Sequence, residues 1–391
     1  MASMRVGVVG VGQRAQLATH VMSCEDAAVV AVADTSAAAR HRASHLFGTD
    51  VALRSDYHEL LDDDLDAVLL LTPDHLHVGP AVEFLRAKVP VFVEKPLAIS
   101  TEDCDRILDI AMTERVPLYV GHNLRHAPVV RAMKSIIDEG RIGNVKAVWC
   151  RHFVGHGGDF YFKDWHAERR NTTGLLLQKG AHDIDVIHWL AGGACRLVVA
   201  FGGLEVYGSN AKAKSSETSD RRLNDWYDES AWPPSALRDV NPSADVEDIS
   251  MMLGRMDNQV LMSYEQCHFT PDYWRNYTVI GDSGRVENFG DLGGASVSVW
   301  NSRRSGYRAD ADYTIKIDPA EGDHGGADKR LIDEFIRFVR SGGETETSPV
   351  AAREAVATGV AATTSLRAGG QPVAVDPPDI AVAAYFARHQ E

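Results

Sequence analysis

The stretch LLLQKGAHDIDVIHWL, residues 175–190, sets one Lys, two His and two Asp inside an otherwise apolar helical pattern. At 3.6 residues per turn Gln178, His182 and Asp185 share one side, while Leu176, Leu177, Ile184, Ile187 and Leu190 can face a core. Ionisable groups in so apolar a segment cost free energy unless they are paired or used. A His within a turn of a Gln and an Asp is a candidate general base. Lys95, in VFVEKPLA, is a second proton-handling candidate, because it stands at the end of an apolar strand-like run.

A phosphate-binding fingerprint accompanies them. RVGVVGVGQRA opens on an apolar run, 6–9, that predicts a buried parallel strand. Gly10-Val11-Gly12-Gln13-Arg14-Ala15 then fits G-x-G-x-x-G/A, ahead of a helical pattern over 15–22. Gly10 permits the tight turn, Gly12 lets backbone approach a pyrophosphate, and Ala15 lets the helix pack closely. Free N–H groups at the helix start, including those of Gln13 and Arg14, would meet the phosphates. A second strand, 29–33, ends in Asp34 at the distance expected for a ribose carboxylate. Its charge accepts from a 2′-hydroxyl and repels a 2′-phosphate, so NAD is expected in preference to NADP. Arg14 would soften that discrimination if it lay nearby.

Strand and helix patterns go on alternating: a strand at 67–71, then TPDHLH and a helix over 79–87, then a strand at 89–93 running into Glu94-Lys95-Pro96. A helix over 101–115 and a strand at 118–121 follow. This alternation predicts a parallel sheet whose ligand crevice lies beyond the carboxyl ends of its strands, where Thr72, Lys95 and Asn123 fall. Farther along, 249–253, 259–264, 277–280 and 297–300 alternate like antiparallel strands separated by turns such as DN and GDSG. Residues 208–245 are polar and irregular, as a lid or an arm to a neighbouring subunit would be, and 351–367 is strongly helical.

A length of 391 residues predicts two domains. The apolar fraction of 45% and charged fraction of 24% are those of an ordinary soluble globular protein. A formal net charge of −15 argues against nucleic-acid or anionic-membrane binding. No apolar run approaches the roughly 20 residues that span a bilayer, and MASMRVGVVG has no signal-peptide architecture. The 5 cysteines are scattered and odd in number, which predicts reduced thiols and a cytoplasmic location. The 16 His form no HExxH or zinc-type spacing, so no metal is expected.

The chain resembles the Gfo/Idh/MocA family of nicotinamide-dependent oxidoreductases. The resemblance rests on GVGQRA, Asp34, LTPDHLH (family TPnxxH), VFVEKPLA (family EKPLA), GHNLRHAP (family GxNxRxxP) and the 175–190 segment, in family order. It implies a Rossmann domain at 1–124, an α/β substrate and oligomerisation domain with a large open, mainly antiparallel sheet at 125–376, and a tail at 377–391. A homodimer or homotetramer is expected. It also implies cofactor contacts from Thr72, Pro73, His77, Glu94 and Asn123, and a substrate contact from Arg125. Lys95 is expected near both the nicotinamide and the reacting hydroxyl, with a cis bond to Pro96. The family pattern D-x-G-x-H-x-x-D is matched by Gly180, His182 and Asp185, but Gln178 stands where the family has Asp, with Lys179 beside it. His182 is then a base oriented by Gln178 or Asp185, or Lys95 takes more of the proton transfer, with Lys179 adding positive charge. HGGADKR resembles the family GGaD segment, which places His324 and Asp328 near the substrate.

The expected activity is NAD-dependent oxidation of a secondary alcohol on a sugar, glycoside or cyclitol. The alternative is NAD-dependent glycoside hydrolysis through transient oxidation, elimination, water addition and re-reduction; a non-catalytic NAD-binding regulator is a third class. In DFYFKDWHAERRNTTG, Trp165 offers a face for a sugar ring and His166 a hydrogen bond. Arg169 and Arg170 offer guanidinium groups to an anionic substituent.

Overall fold

In a computed structural model, residues 3–208, 227–291, 293–318 and 323–390 are described. Mostly apolar strands build the first sheet. The elements run β1 (Met4–Val9), α1 (Ala15–Ala18), β2 (Ala27–Ala33), α2 (Ala37–Phe47), β3 (Ala52–Arg54), β4 (Ala67–Leu70), α3 (Val78–Arg86), β5 (Val91–Val93), α4 (Thr101–Glu114) and β6 (Leu118–Val120). Every residue of β4, β5 and β6 is buried, as strands covered on both faces require. The order is β3-β2-β1-β4-β5-β6 with all pairs parallel, and it reverses direction at β1/β4. A ligand crevice opens beyond the strand ends at such a reversal. The helix expected over 15–22 is shorter, because the chain tightens into a 3-10 turn at Thr19–Ser23.

The second half contributes α5 (Pro128–Asp138), β7 (Val145–Phe153), α6 (Gly157–Tyr161), α7 (Arg169–Thr172), α8 (Leu175–Gln178), α9 (Gly180–Ala191) and β8 (Cys195–Gly203). It continues with β9 (Ile249–Met256), β10 (Leu261–Cys267), β11 (Trp274–Gly281), β12 (Arg285–Phe289), β13 (Ser296–Trp300) and β14 (Tyr313–Lys316). The chain closes with α10 (Ala327–Ser341), α11 (Pro349–Arg367), β15 (Val373–Ala374) and α12 (Ile380–Gln390). The second sheet runs β14-β13-β12-β11-β7-β10-β9-β8-β15 and is antiparallel except where β7 meets β10. One face packs on α5, α9 and α11 through Met133, Ile136, Ile184, Ile187, Ala355 and Ala362. The opposite face leaves Trp149, Phe201, Met251, Leu253 and Leu261 exposed.

Three late helices cross the linear division at 124 and 376. Leu331, Ile332 and Phe335 of α10 complete the core over β1, β2 and β4, because α1 is too short to cover that face. The expected tail folds as α12 and buries Val382 and Phe386 with Ile107 and Leu108 of α4. Helix α11 faces both cores, with Ala352 and Val356 toward the first and Ala355 and Ala362 toward the second. Gly359 lets α11 approach α8 closely, since a Cβ there would lie 2.9 Å from the Leu176 carbonyl. Of the irregular segment expected at 208–245, residues 209–226 lie outside the described residues. Its later part anchors Leu237 and Val240 beside Phe162 and Tyr207.

The two fingerprint glycines divide their tasks. Gly10 has φ +93°, and a Cβ would come within 2.9 Å of the Leu71 and Thr72 backbone; around a Cβ at Gly12 there is open space. Gly10→Ala should therefore lower unfolding free energy by about 1–3 kcal/mol in urea titrations. Gly12→Ala should leave stability within about 0.5 kcal/mol and weaken NAD binding. Equal destabilisation by both would contradict this division.

Candidate active site

The crevice rim is built from the carboxyl ends of the first sheet. The Gly10 N–H donates to Ala33 O at 2.9 Å, holding the fingerprint turn against β2. One Asp34 oxygen accepts the Val11 N–H and the other the Ser36 N–H, each at 2.8 Å. That leaves carboxylate lone pairs for a ribose diol. His77 is fully buried, with its ring nitrogens 2.8 Å from Pro96 O and 2.9 Å from Thr72 O. It thus braces the loops after β4 and β5, and the Lys95–Pro96 peptide is cis. Arg14 pairs with Glu94 and with Asp328 at 2.9 Å, and Asp328 also accepts the Asn123 amide at 2.7 Å. The guanidinium is therefore matched by two carboxylates, and the network ties the fingerprint to the start of α10.

These residues fit a dinucleotide. Open space stands where a Cβ on Gly12 would project, and the Thr72 Oγ1 and Asn123 Oδ1 atoms are buried without a partner among the described residues. Asp34 is placed at the fingerprint turn with acceptor capacity remaining.

Facing this rim is the 175–190 segment, which is two helices rather than one. The break falls at Lys179, between α8 and α9. Lys95 Nζ donates to the Gln178 carbonyl at 3.3 Å, joining the two halves of the chain. The Gln178 side chain is close enough to Asp74, just past β4, to favour its ionised form. Asp185 is buried and holds Arg125 at 2.7 and 2.8 Å, with His122 at 3.3 Å. Both expected partners of His182 are thus engaged elsewhere, and the buried His182 Nδ1 has no partner among the described residues.

Charge in this cluster is controlled by burial and by crowding of cations. Burial, then Lys95, Lys179 and Arg275, push the His182 imidazole well below its ordinary range, so it is neutral at pH 7. Burial, then Arg275 and Lys95, bring Lys179 down to about 7; its ammonium lies 5.8 Å from the Tyr161 ring centre. Lys95 is also lowered, mainly by burial, with Glu94 and Asp74 acting against the shift.

Several participants were not singled out in the sequence. Asp183, fully buried, accepts from His152 Nδ1 at 2.8 Å and Tyr264 OH at 3.0 Å, and Tyr277 OH donates to it as well. Arg275 stands 3.0 Å from Asp183 and 3.1 Å from Asp291. Asp74 is 4% exposed, and burial pushes its carboxyl up to about 7. Its place inside TPDHLH was the one sequence signal available.

In the DFYFKDWHAERRNTTG stretch Trp165 stacks on His166 with ring centres 3.7 Å apart. His166 is buried near Tyr161, and burial followed by Lys95 lowers it to about 3. The two arginines are already matched by carboxylates. Arg169 donates to Asp245 O at 2.6 Å and pairs with Glu247 at 3.0 Å, while the exposed Arg170 pairs with Glu168 at 2.6 Å. His324 lies in the 3-10 turn Asp323–Gly326 before α10, with its side chain outside the described residues.

Comparison with known proteins is consistent across the chain. Residues 4–122 match an oxidoreductase family model described as an NAD-binding Rossmann fold, and 134–375 match that family's C-terminal alpha/beta domain. YteT of Bacillus subtilis (strain 168), whose assignment as an oxidoreductase is itself provisional, is 25% identical over 69% of this chain and 72% of its own. Inositol 2-dehydrogenase of Klebsiella pneumoniae (strain 342) is 32% identical over 48% of this chain; the match spans 54% of that relative, about half its length. A levoglucosan dehydrogenase solved with NADH and L-sorbose has the same fold, with a TM-score of 0.76, 18% identity, and coverage of 96% of this chain and 100% of that one.

The Arg125–Asp185 pair gives a stability test. Arg125→Ala leaves a buried carboxylate without its main partner and should cost about 3–5 kcal/mol in urea unfolding. Burial favours protonation of Asp185, but Arg125 and His122 outweigh it and hold the carboxyl below its ordinary range. The stabilisation is therefore complete above about pH 4 and is lost as pH falls through the depressed value. An Arg125→Ala penalty that is unchanged on acidification would contradict the pairing.

Proposed function

Because the chain belongs to the Gfo/Idh/MocA family of oxidoreductases and carries its NAD-binding Rossmann domain, we propose that it oxidises a secondary alcohol of a sugar, glycoside or cyclitol. The observation that carries this reading is the contact of Lys95 Nζ with Gln178 O. It sets a cofactor-side amine against the segment bearing Lys179 and His182. The names of the relatives, an inositol 2-dehydrogenase and a levoglucosan dehydrogenase, support a polyol or carbohydrate substrate.

Gly10, Gly12, Gln13, Asp34, Thr72, Pro73 and Asn123 would hold the dinucleotide, with Arg14, Glu94 and His77 bracing them. Bound there, NAD supplies the hydride acceptor. Lys95 stabilises the negative charge that grows on the substrate oxygen, an effect strengthened where water is scarce. His182, being neutral, is free to accept a proton; Lys179, lowered to about 7, is a second acceptor. Trp165 and His166 form an apolar and polar shelf for a ring, and Arg125 with Asp185 fixes the adjoining wall. The exposed face of the second sheet, with Trp149 and Leu253 aligned on either side of Ser263, pairs copies of the chain into a homodimer or homotetramer. All five cysteines are free, which fits the cytoplasm.

Incubation with NAD and a panel of cyclitols, sugars and aryl glycosides should form NADH in step with substrate and without aglycone release. Aglycone release without net NADH would make the protein a glycosidase, and NAD binding with no turnover a regulator. The catalytic efficiency should be higher with NAD than with NADP, and reversal would refute the role of Asp34. Lys95→Ala and His182→Ala should each lower kcat by about 10²–10⁴-fold with NAD affinity nearly unchanged.

The pH profile tests which group carries the proton. A lysine with a lowered pKa accepts a proton only above its shifted value, so kcat/KM for oxidation should climb from about pH 7 upward. An acid limb near 6.5 that disappears in His182→Ala would overturn the neutral state assigned to that imidazole. Light scattering at micromolar concentration should give a dimer or tetramer; a monomer would refute the sheet-face pairing.

A further inference from the structure

We propose that Asp74 is a positioning residue for this reaction: its buried carboxylate, at the strand end beside that of Lys95, is the charge partner that keeps the Lys95 amine in place and sets the pH at which it loses its proton. The proposal rests on the reading that Lys95 works on the substrate hydroxyl.

The placement comes from the first sheet. Asp74 opens the 3-10 turn Asp74–Leu76 just past β4, and Lys95 stands just past β5, the strand hydrogen-bonded beside it. Two carboxylates act on the Lys95 ammonium, Glu94 and Asp74. Glu94 is committed to Arg14 through one oxygen and to the Lys95 backbone N–H through the other. Asp74 has Oδ2 buried with no partner among the described residues, and the Gln178 Oε1 is in the same condition. The Lys95 ammonium makes one hydrogen bond among the described residues, to Gln178 O. An ammonium has three donors. Two buried acceptors and two undirected donors thus belong to a single cluster, and Asp74 supplies its uncommitted negative charge.

The surroundings define what such a pair would do. Lys95 also faces Arg14 and Arg275, both of which disfavour its charged form, and it acts in turn on Lys179, His182 and His166. Asp74 faces Lys95, Glu94 and Tyr161 as well as the Gln178 amide. Burial pushes its carboxyl up to about 7, against the pull of Lys95 and Gln178, so its charge changes in the working range. Gln178 has a reason to be neutral in this setting. A carboxylate at 178 would face Asp74, and two carboxylates sharing a site force one to hold a proton. An amide instead donates and leaves the charge on Asp74.

Competitive acetylation of the free protein with trace acetic anhydride, read by mass spectrometry at Lys95 across pH, tests the pairing without cofactor or turnover. Asp74→Asn keeps size and polarity but removes the charge that favours the ammonium. The Lys95 midpoint should fall by about one pH unit or more, and the pH limb of kcat/KM should move the same way, with KM changed less than about threefold. Gln178→Ala removes the donor to Asp74, so the carboxyl protonates more readily and the Lys95 midpoint should again fall. This second variant serves if Asp74→Asn does not fold. A Lys95 midpoint that stays put in a folded variant overturns the proposal. A midpoint that moves in a protein that oxidises no polyol upholds the pairing and refutes the reaction reading instead.

Discussion

Positive charge buried between the two halves of the chain has to be balanced there, and much of the structure answers that requirement. Lys95, Lys179 and Arg275 influence one another across the junction. Isolated charges in such a place are costly, and removing one partner leaves the other uncompensated. Asp183 on α9 and Asp291 hold Arg275, while Glu94 and Asp74 act on Lys95. Each carboxylate comes from an element different from that of its cation, with the exception of Glu94. The arrangement therefore exists only when α9, β11 and the loops after β4 and β5 are all in place. Buried pairs of this type are weak evidence for stability; what they provide here is a defined spacing of charge.

The same reasoning explains why the two halves are not independent modules. Arg14 of the fingerprint is held by Asp328 at the start of α10, and Asn123 by the same carboxylate. Helix α10 also completes one core of the first sheet, and α12 joins the other. A phosphate site on one half and a proton-handling segment on the other are useful only at a fixed separation. Late helices folded back onto the early sheet, together with Lys95 on Gln178, provide that separation.

Local features were legible in the sequence wherever a residue's environment is set by its neighbours along the chain. The apolar runs of β1, β4 and β5 and the turn at Gly10 fall in this class, since burial on both faces or a positive φ leaves a direct mark on residue type. The strand β7 was not legible: Ala147 and Trp149 share its exposed face with Arg151, while Lys146 and His152 fall on the other face with Val148 and Cys150, so no plain alternation of apolar and polar residues appears. The hub at Asp183 was hidden for another reason. Its partners His152, Tyr264 and Tyr277 are 31, 81 and 94 residues away, and only the sheet register brings them together. Helical periodicity put Gln178, His182 and Asp185 on one face, but the break at Lys179 and the pull of Asp74 and Arg125 separate their roles.

That separation bears on how a half-buried imidazole would work, on the proposed reaction, without an acid to orient it. A carboxylate hydrogen-bonded to His182 would raise its basicity and oppose the cations around it. Here Asp185 is committed to Arg125, and the surrounding lysines and Arg275 keep the ring neutral. A neutral ring among cations accepts a proton only while negative charge is growing nearby to offset the result. On the proposed reaction the same cations that depress the imidazole would also favour an alkoxide, coupling proton loss and charge stabilisation through one field rather than assigning them to one residue. Under that coupling, the carboxylates that set the state of the lysines matter as much as the imidazole does. On the proposed pairing a neutral Gln at 178 is no weaker copy of an acid, because the negative charge would be carried by Asp74 in the turn after β4.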